Sequence, residues 1–364
     1  YVLLVDASAF VAVGTHVNFF FNDTATAETY TEMVGDGLGR TYGQSAQEAL
    51  GATRFVVERP NGNYFIQSPT ADPGAITDAG SLYLVDGTTG NLIGKADGDT
   101  GNELFSQTLD TFTLSLAGSD DILVRSSAGL AGAGTVVQVA SADLGGGNII
   151  RGRVDGSPGG GFAEALGSTA PQLAPGNTHY YLRAPNADPG GIVDAGSLYF
   201  VDVASGSLSN RVDGLNNNEF LGNNSLFTGS AGNLYARSNG NANAGRVLVI
   251  GGDGALLGEA AGNNPGEFFG SNYQFVGSDI WVVSPQHNNG AATAAGGIFA
   301  IANEDLGGGS VIRNSILGTG ANDNLGANGI SFISSDRRLI RVPLADVGGL
   351  TDAGIDIMVD IELN

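Results

Sequence analysis

The chain has 364 residues, 59 of them Gly, 11 Pro and none Cys, and 15 basic against 37 acidic residues leave a formal net charge of −22. With 42% hydrophobic residues it is too apolar for a disordered chain; its glycines lack the every-third-residue period of collagen, and no run approaches the roughly 18 apolar residues of a membrane-spanning helix. The charge, with Lys95 the only lysine, repels phosphate backbones and anionic lipids, so nucleic acid and membrane insertion are not expected, and the lack of Cys removes disulfides, thiolate metal sites and cysteine nucleophiles.

In chain order, Tyr1-Val2-Leu3-Leu4-Val5-Asp6 has the composition of a strand, and Phe10 to Val13 that of another. The chain opens on Tyr with no signal-peptide pattern, which reads as a mature product or a fragment. Residues 15–36 read as an irregular insertion of suspect sequence. Within them, the run from Phe19 to Thr31 resembles translated sequencing-adaptor read-through and is assigned no function. A weak polar stretch from Thr24 to Met33 is the one place where helical periodicity competes.

From there a unit repeats. An acid, two mainly apolar residues and a small one recur at Glu48-Ala49-Leu50-Gly51, Glu103-Leu104-Phe105-Ser106, Glu164-Ala165-Leu166-Gly167, Glu219-Phe220-Leu221-Gly222, Glu267-Phe268-Phe269-Gly270 and Asp323-Asn324-Leu325-Gly326. The intervals are 55, 61, 55, 48 and 56 residues, averaging 55. After each acid comes a short strand, a tight turn and a second strand, as in Arg54 to Glu58, Pro60-Asn61-Gly62-Asn63 and Tyr64 to Gln67, which predicts a hairpin. A Gly/Ala/Asp loop then closes on Gly80, Gly134, Gly196, Gly245, Gly296 or Gly354. A third strand such as Ser81-Leu82-Tyr83-Leu84-Val85-Asp86 follows, then a turn and a fourth segment such as Asn91 to Lys95.

Four short strands per unit, repeated six times, predict an all-β β-propeller of six or seven four-stranded blades in a single domain over 1–364, with a β-solenoid as the rival. The C-terminal unit supplies three clear strands ending at Ile355 to Asp360, so Tyr1–Asp6 and Phe10–Val13 are expected to complete a shared blade or add one.

The repeat order resembles FG-GAP-type β-propeller repeats, most clearly from Phe269-Gly270 through Ser284-Pro285 to Ala295-Gly296-Gly297-Ile298-Phe299-Ala300. The segment from Asn61 to Pro69, with Thr77-Asp78-Ala79-Gly80, is also similar to repeats of large secreted bacterial surface proteins of the filamentous-haemagglutinin kind. The resemblance covers roughly residues 47 to 360. It implies an extracellular or cell-surface setting, binding or adhesion, and a protein or glycan partner at a cell or matrix surface, with self-assembly as a further outcome. FG-GAP propellers often carry Asp-x-Asp-x-Asp-Gly calcium loops between the first two strands, and none of these turns supplies the alternating carboxylates.

Two sets of acids are candidate sites. Glu48, Glu103, Glu164, Glu219, Glu267 and Asp323 recur at one level of the ring, either as an acidic annulus for cations or basic partners, or, the favoured reading, as structural acceptors for backbone N–H groups. The pairs Asp72/Asp78, Asp188/Asp194 and Asp346/Asp352 lie six residues apart on Gly-rich loops. They either help hold Ca²⁺ or fix the loop through Asx-type bonds; units lacking both acids mean that no cofactor is required by the fold.

Signals of catalysis are thin. His16, His179 and His287 fall at unrelated repeat positions without partner spacing for zinc or a Ser-His-Asp relay. The runs Leu144-Gly145-Gly146-Gly147 and Leu306-Gly307-Gly308-Gly309 precede strands rather than helices, so they are turns and not phosphate cradles. Trp281, Tyr64, Tyr180, Tyr181 and Tyr235 fall in second strands, where they are expected to pack between blades, or else to stack on sugars near the propeller mouth. The sequence therefore favours a non-enzymatic binding or adhesion module with ligand on loops at one face. A polysaccharide-active glycosidase or lyase with acids at the central channel, and an architectural repeat of a filament or surface layer, are the alternatives.

Overall fold

The computed structural model describes residues 56–360, apart from 106–107, 111–119, 127–131, 158–165, 167–168, 225, 230–231, 277–278, 307–309, 335–336 and 343–353. The expected strands at Tyr1–Asp6 and Phe10–Val13, the insertion 15–36, and the stretch Thr24 to Met33 lie outside the described residues.

The described chain is an all-β propeller whose six antiparallel sheets follow one another in sequence. Blade 1 holds β1 (Val56–Glu58), β2 (Tyr64–Ser68), β3 (Ser81–Val85) and β4 (Leu92–Asp97). Blade 2 holds β5 (Thr108–Asp110), β6 (Ile122–Ser126), β7 (Thr135–Val139) and β8 (Ile150–Asp155). Blade 3 holds β9 (Gln172–Leu173), β10 (His179–Ala184), β11 (Ser197–Asp202) and β12 (Leu208–Asp213). Blade 4 holds β13 (Phe227–Thr228), β14 (Leu234–Ser238), β15 (Arg246–Ile250) and β16 (Leu256–Ala261). Blade 5 holds β17 (Asn272–Val276), β18 (Asp279–Ser284), β19 (Gly297–Ile301) and β20 (Ile312–Leu317). Blade 6 is a three-stranded sheet of β21 (Ile330–Ser334), β22 (Arg337–Val342) and β23 (Ile355–Asp360).

In every sheet the strands lie in chain order, each hydrogen-bonded to the next. The pairing of third with fourth strand slips at the same place in the first five blades, at Leu84/Val85, Gln138/Val139, Phe200/Val201, Val249/Ile250 and Ala300/Ile301. A bulge recurring at one repeat position bends and twists each blade alike, so successive blades present matching faces.

The core lies between the blades. Phe65, Leu82 and Leu84 of blade 1 pack with Ile122, Val124 and Val137 of blade 2. The opposite face of blade 2, with Leu123 and Val136, meets Tyr180, Leu182, Tyr199 and Val201 of blade 3. Tyr181, Leu198 and Phe200 then meet Leu234, Leu248 and Ile250 of blade 4, and Tyr235, Val247 and Val249 meet Ile280, Val282 and Phe299 of blade 5. Val283 and Ile298 close the series against Ile340 and Val342 of blade 6. A third strand is thus covered on both faces, which is why it reads as an unbroken apolar run where a half-exposed strand would alternate. Tyr180 and Tyr235 pack between blades, as the second-strand position predicts.

A backbone clasp joins each blade to the next. The loop between the second and third strands presents an Ala carbonyl that accepts the N–H of the second residue after the next recurrent acid. The bonds are Phe105 to Ala79 (2.8 Å), Leu166 to Ala133 (2.9 Å), Leu221 to Ala195 (2.9 Å), Phe269 to Ala244 (2.8 Å) and Leu325 to Ala295 (2.9 Å). The Gly after each Ala has φ between +81° and +85°, and a Cβ on it would come within 2.2–2.4 Å of the backbone of the clasped residue. Only Gly satisfies both demands.

Gly196→Ala is therefore expected to cost about 3 kcal/mol in urea unfolding, from left-handed backbone strain and the collision with Leu221 together. Gly190→Ala, with φ at +61° but open space around it, is expected to cost about 1 kcal/mol. Equal losses at the two positions would refute the clasp as the source of the requirement.

Candidate functional site

The described recurrent acids sit just ahead of the clasp, and their carboxylates face their own turns. Glu103 Oε2 accepts the N–H groups of Asp99 (3.0 Å) and Thr100 (3.2 Å), while Oε1 lies 3.1 Å from the Arg153 guanidinium. Glu219 Oε2 accepts from the N–H groups of Leu215 (2.7 Å) and Asn216 (3.1 Å), and Oε1 from the Ser238 hydroxyl (2.6 Å) and Arg246 (2.9 Å). Glu267 Oε2 accepts from Asn263 N–H (2.8 Å) and Oε1 from the Asn264 amide (2.6 Å), and Asp323 Oδ2 accepts from Gly320 N–H (2.6 Å). All four are buried. Glu48 and Glu164 lie outside the described residues.

Burial opposes ionisation of Glu219, but hydrogen bonds from Ser238, Arg246 and Leu215 outweigh it and hold the carboxyl below the ordinary range. Burial opposes ionisation of Glu267 as well, and Asn264, Asn263 and His287 together pull it the same way. A general acid at neutral pH needs the opposite shift. Two groups with depressed folded-state pKa contribute stability that is present above the unfolded carboxylate pKa, about 4.3, and is lost as pH falls through the folded values. Unfolding free energy is therefore expected to drop on acidification below about pH 4. Glu219→Ala, which leaves Arg246 with Glu259 but unpairs its Nη1, the Ser238 hydroxyl and two backbone N–H groups in a buried site, should cost about 2 kcal/mol at pH 7 and flatten that acid limb; an unchanged limb in urea titrations across pH would contradict it.

The paired-acid loops carry a different bond. Asp72 Oδ1 accepts the N–H of Asp78 at 2.6 Å, and Asp188 Oδ1 accepts that of Asp194 at 2.7 Å. In blade 5 the same bond is made by a neutral amide, Asn288 Oδ1 accepting from Ala294 N–H at 2.8 Å, with no second acid. Asp78, Asp194 and Ala294 occupy left-handed backbone, with φ of 50°, 51° and 51°. The loop therefore takes its shape without a carboxylate pair. Among the described residues no group of three or more His, Asp or Glu is arranged to hold a metal. Asp346 and Asp352 lie outside the described residues. Asp188→Asn is expected to change stability by less than about 1 kcal/mol, with or without added Ca²⁺; a Ca²⁺-dependent thermal shift abolished by the substitution would make this loop a metal site.

Of the histidines, His16 lies outside the described residues and His179 Nδ1 is 3.0 Å from the Thr178 hydroxyl. His287 is buried, edge-on to Phe299, with Nδ1 3.4 Å from Glu267 Oε2. His287 occupies the loop position held by Ala71 and Ala187 in blades 1 and 3, since each of the three accepts the N–H of the clasp Gly (Gly296, Gly80 and Gly196), and so a position unrelated to that of His179. Its partner is 20 residues upstream, brought near where the Ser284 hydroxyl donates to the Glu267 carbonyl.

A hollow of about 100 Å³ opens between blades 4 and 5. Arg237 on β14, Asn239 and Asn243 on the following loop, Asn224, and Phe268 and Ser271 around the recurrent acid of blade 5 line it. Sequence reasoning missed this place because its residues come from three separated stretches and match no motif. The one visible signal is Asn243, an amide at the position held by Asp78 and Asp194.

These sheets and junctions define the chain as an all-β propeller repeat protein. No protein-family model matches it, and neither does any curated protein sequence. Among solved structures it is similar to dihydro-heme d1 dehydrogenase NirN in complex with DHE, at 13% identity over 85% of this chain and 57% of that one, with a TM-score of 0.33. The chain thus spans less than two thirds of that protein's length, and the propeller assignment rests on the sheets and not on this likeness.

Proposed function

We propose that the protein is a non-enzymatic binding module of a secreted or surface-exposed bacterial protein, gripping a protein or glycan with loops on one propeller face. The observation that carries this reading is the fate of the acids. Those described in the recurrent set accept hydrogen bonds from their own turns, and Glu219 and Glu267 are held ionised, the state of a structural acceptor rather than a proton donor. The loop between second and third strands has 12 residues in blades 1, 3 and 5 but 8 in blade 2 and 7 in blade 4, and loops that vary on a repeated scaffold suit recognition. The FG-GAP-like order of the repeat and the cell-surface setting it implies belong to the same reading. No helix among the described residues is long and apolar enough to cross a membrane. The site is taken to need no cofactor.

A glycan array probed with the full chain, with and without EDTA, tests this. Binding to a defined glycan class that survives EDTA is the expected result. Loss of binding in EDTA would move the site to the Asp72/Asp78 and Asp188/Asp194 loops with Ca²⁺. Cleavage of a bound polysaccharide would favour the glycosidase or lyase alternative, and no binding at all would favour an architectural role.

A further inference from the structure

The hollow between blades 4 and 5 joins two features that the scaffold does not explain. The first is a cation, Arg237, with no acid and no hydrogen-bond acceptor among the described residues and only the Tyr273 phenol as an electrostatic neighbour. The other basic side chains described each have a partner: Lys95 pairs with Asp97, Arg151 with Asp121, Arg153 with Glu103, Arg211 with Asp213, Arg246 with Glu219 and Arg313 with Asp279. Arg59 and Arg183 donate to the carbonyls of Asp120 and Gly222, Arg338 to that of Arg337, and Arg125 and Arg337 are also engaged. Arg237 is half-buried and makes neither a hydrogen bond nor an ion pair among the described residues. In a chain of net charge −22, where acids outnumber bases 37 to 15, an unpaired guanidinium is unexpected. Its side chain passes over Gly270, whose absent Cβ would sit 4.0 Å from Nε.

The surroundings have also lost their acids. Asn243 stands where blades 1 and 3 have Asp78 and Asp194, and no Asp or Glu lines the hollow. Amides and a hydroxyl surround the cation instead: Asn224, Asn239, Asn243 and Ser271.

The second feature is Phe268. The residue after the recurrent acid is left-handed in each described copy that carries one there, with φ of 51° at Leu104, 52° at Phe220, 54° at Phe268 and 51° at Asn324. Blade 6 fills the position with Asn, which tolerates this backbone, whereas an aromatic side chain there is strained. Phe268 is 45% exposed, so burial offsets little of that strain. Phe220 has the same backbone, so the strain belongs to the repeat; what sets Phe268 apart is its exposure on the hollow beside Arg237, where Leu104, Phe220 and Asn324 are half-buried.

We infer that this hollow binds a carboxylate-bearing sugar, a uronate residue of an acidic glycan. Arg237 meets the carboxylate through two parallel N–H donors, Asn and Ser side chains take the ring hydroxyls, and Phe268 lies against the C–H face of the ring. The amide and hydroxyl lining and the one exposed aromatic, Phe268, favour a sugar over an acidic peptide, which would seek further cations. The inference rests on the binding-module reading and narrows it to one ligand class and one inter-blade groove.

Titration calorimetry of the full chain with oligogalacturonate tests it, with the methyl-esterified oligomer, poly-glutamate and inorganic sulfate as comparison ligands. Oligogalacturonate should bind. Arg237→Ala and methyl esterification should each weaken it tenfold or more, and Arg237→Lys should recover only part of the loss, since an ammonium cannot present the planar fork. Phe268→Asn, which relieves backbone strain and so should leave the melting temperature unchanged or raised, should weaken binding several-fold. The inference is overturned if the methyl ester binds as tightly, if poly-glutamate or sulfate matches oligogalacturonate in an Arg237-dependent way, or if oligogalacturonate does not bind. Neutral glycans bound equally by wild type and Arg237→Ala would refute this site while leaving the binding-module reading intact; no glycan bound by either would refute both.

Discussion

The fold depends on a single backbone contact made five times over among the described residues. An Ala carbonyl in the loop of one blade meets an N–H just after the acid of the next, and this contact needs the two chains closer than any Cβ would permit. Gly80, Gly134, Gly196, Gly245 and Gly296 give way on one side. On the same carbonyl's other flank Gly98, Gly214, Gly262 and Gly318 do so too, where a Cβ would fall 2.0–2.3 Å from the Ala oxygen. Much of the glycine content is thus a requirement of approach distance rather than of flexibility, and a chain that looks loose by composition is fixed at its junctions.

The recurrent acid belongs to the same device. An N–H turn that enters a tight junction leaves donors pointing inward, and an ionised carboxylate can accept several of them at once. Glu219 takes two backbone donors on one oxygen and the Ser238 hydroxyl and Arg246 on the other, which is why the charge survives burial. Elsewhere the pairing is repeated with small changes: Ser81, Thr135 and Ser197 hydroxyls donate to Asp97, Asp155 and Asp213. The net charge of −22 therefore includes many acids already engaged by donors of the scaffold, and the total is not in itself evidence of a dedicated cation site.

The architecture was legible because its periodicity is dictated by packing that repeats. Third strands such as Ser197–Asp202 read as unbroken apolar runs since both faces are covered, and the hairpin turns and Ala-Gly loops punctuate them at constant order. The three-strand C-terminal unit was legible in the same way. What could not be read was anything that a junction assembles from distant segments. His287 and Glu267 are 20 residues apart in sequence and meet because the end of the second strand of blade 5 bonds back to its own acid turn, Ser284 donating to the Glu267 carbonyl and Gly270 N–H to that of Val283. Arg237 lies in a strand and matches no motif, and that no described acid reaches it is a property of three-dimensional neighbours that no spacing encodes.

Once the invariant positions are assigned to the scaffold, the remaining information lies in how equivalent positions differ. The residue two before the clasp Gly is Asp78, Asp194, Asn243 and Ala294 in four blades, all in left-handed backbone and each with its carbonyl accepting an N–H from the next blade. Because the backbone demand is the same in each, the side chain is free to vary without cost to the junction. A change of charge at such a position alters the local potential and little else. At blade 4 that change removes a carboxylate beside the described guanidinium that no acid neutralises, and the two departures coincide in space though they arise on different strands and loops. A scaffold whose repeats are separately clasped can hold one such local departure without transmitting strain to the rest, since each inter-blade core is complete on its own.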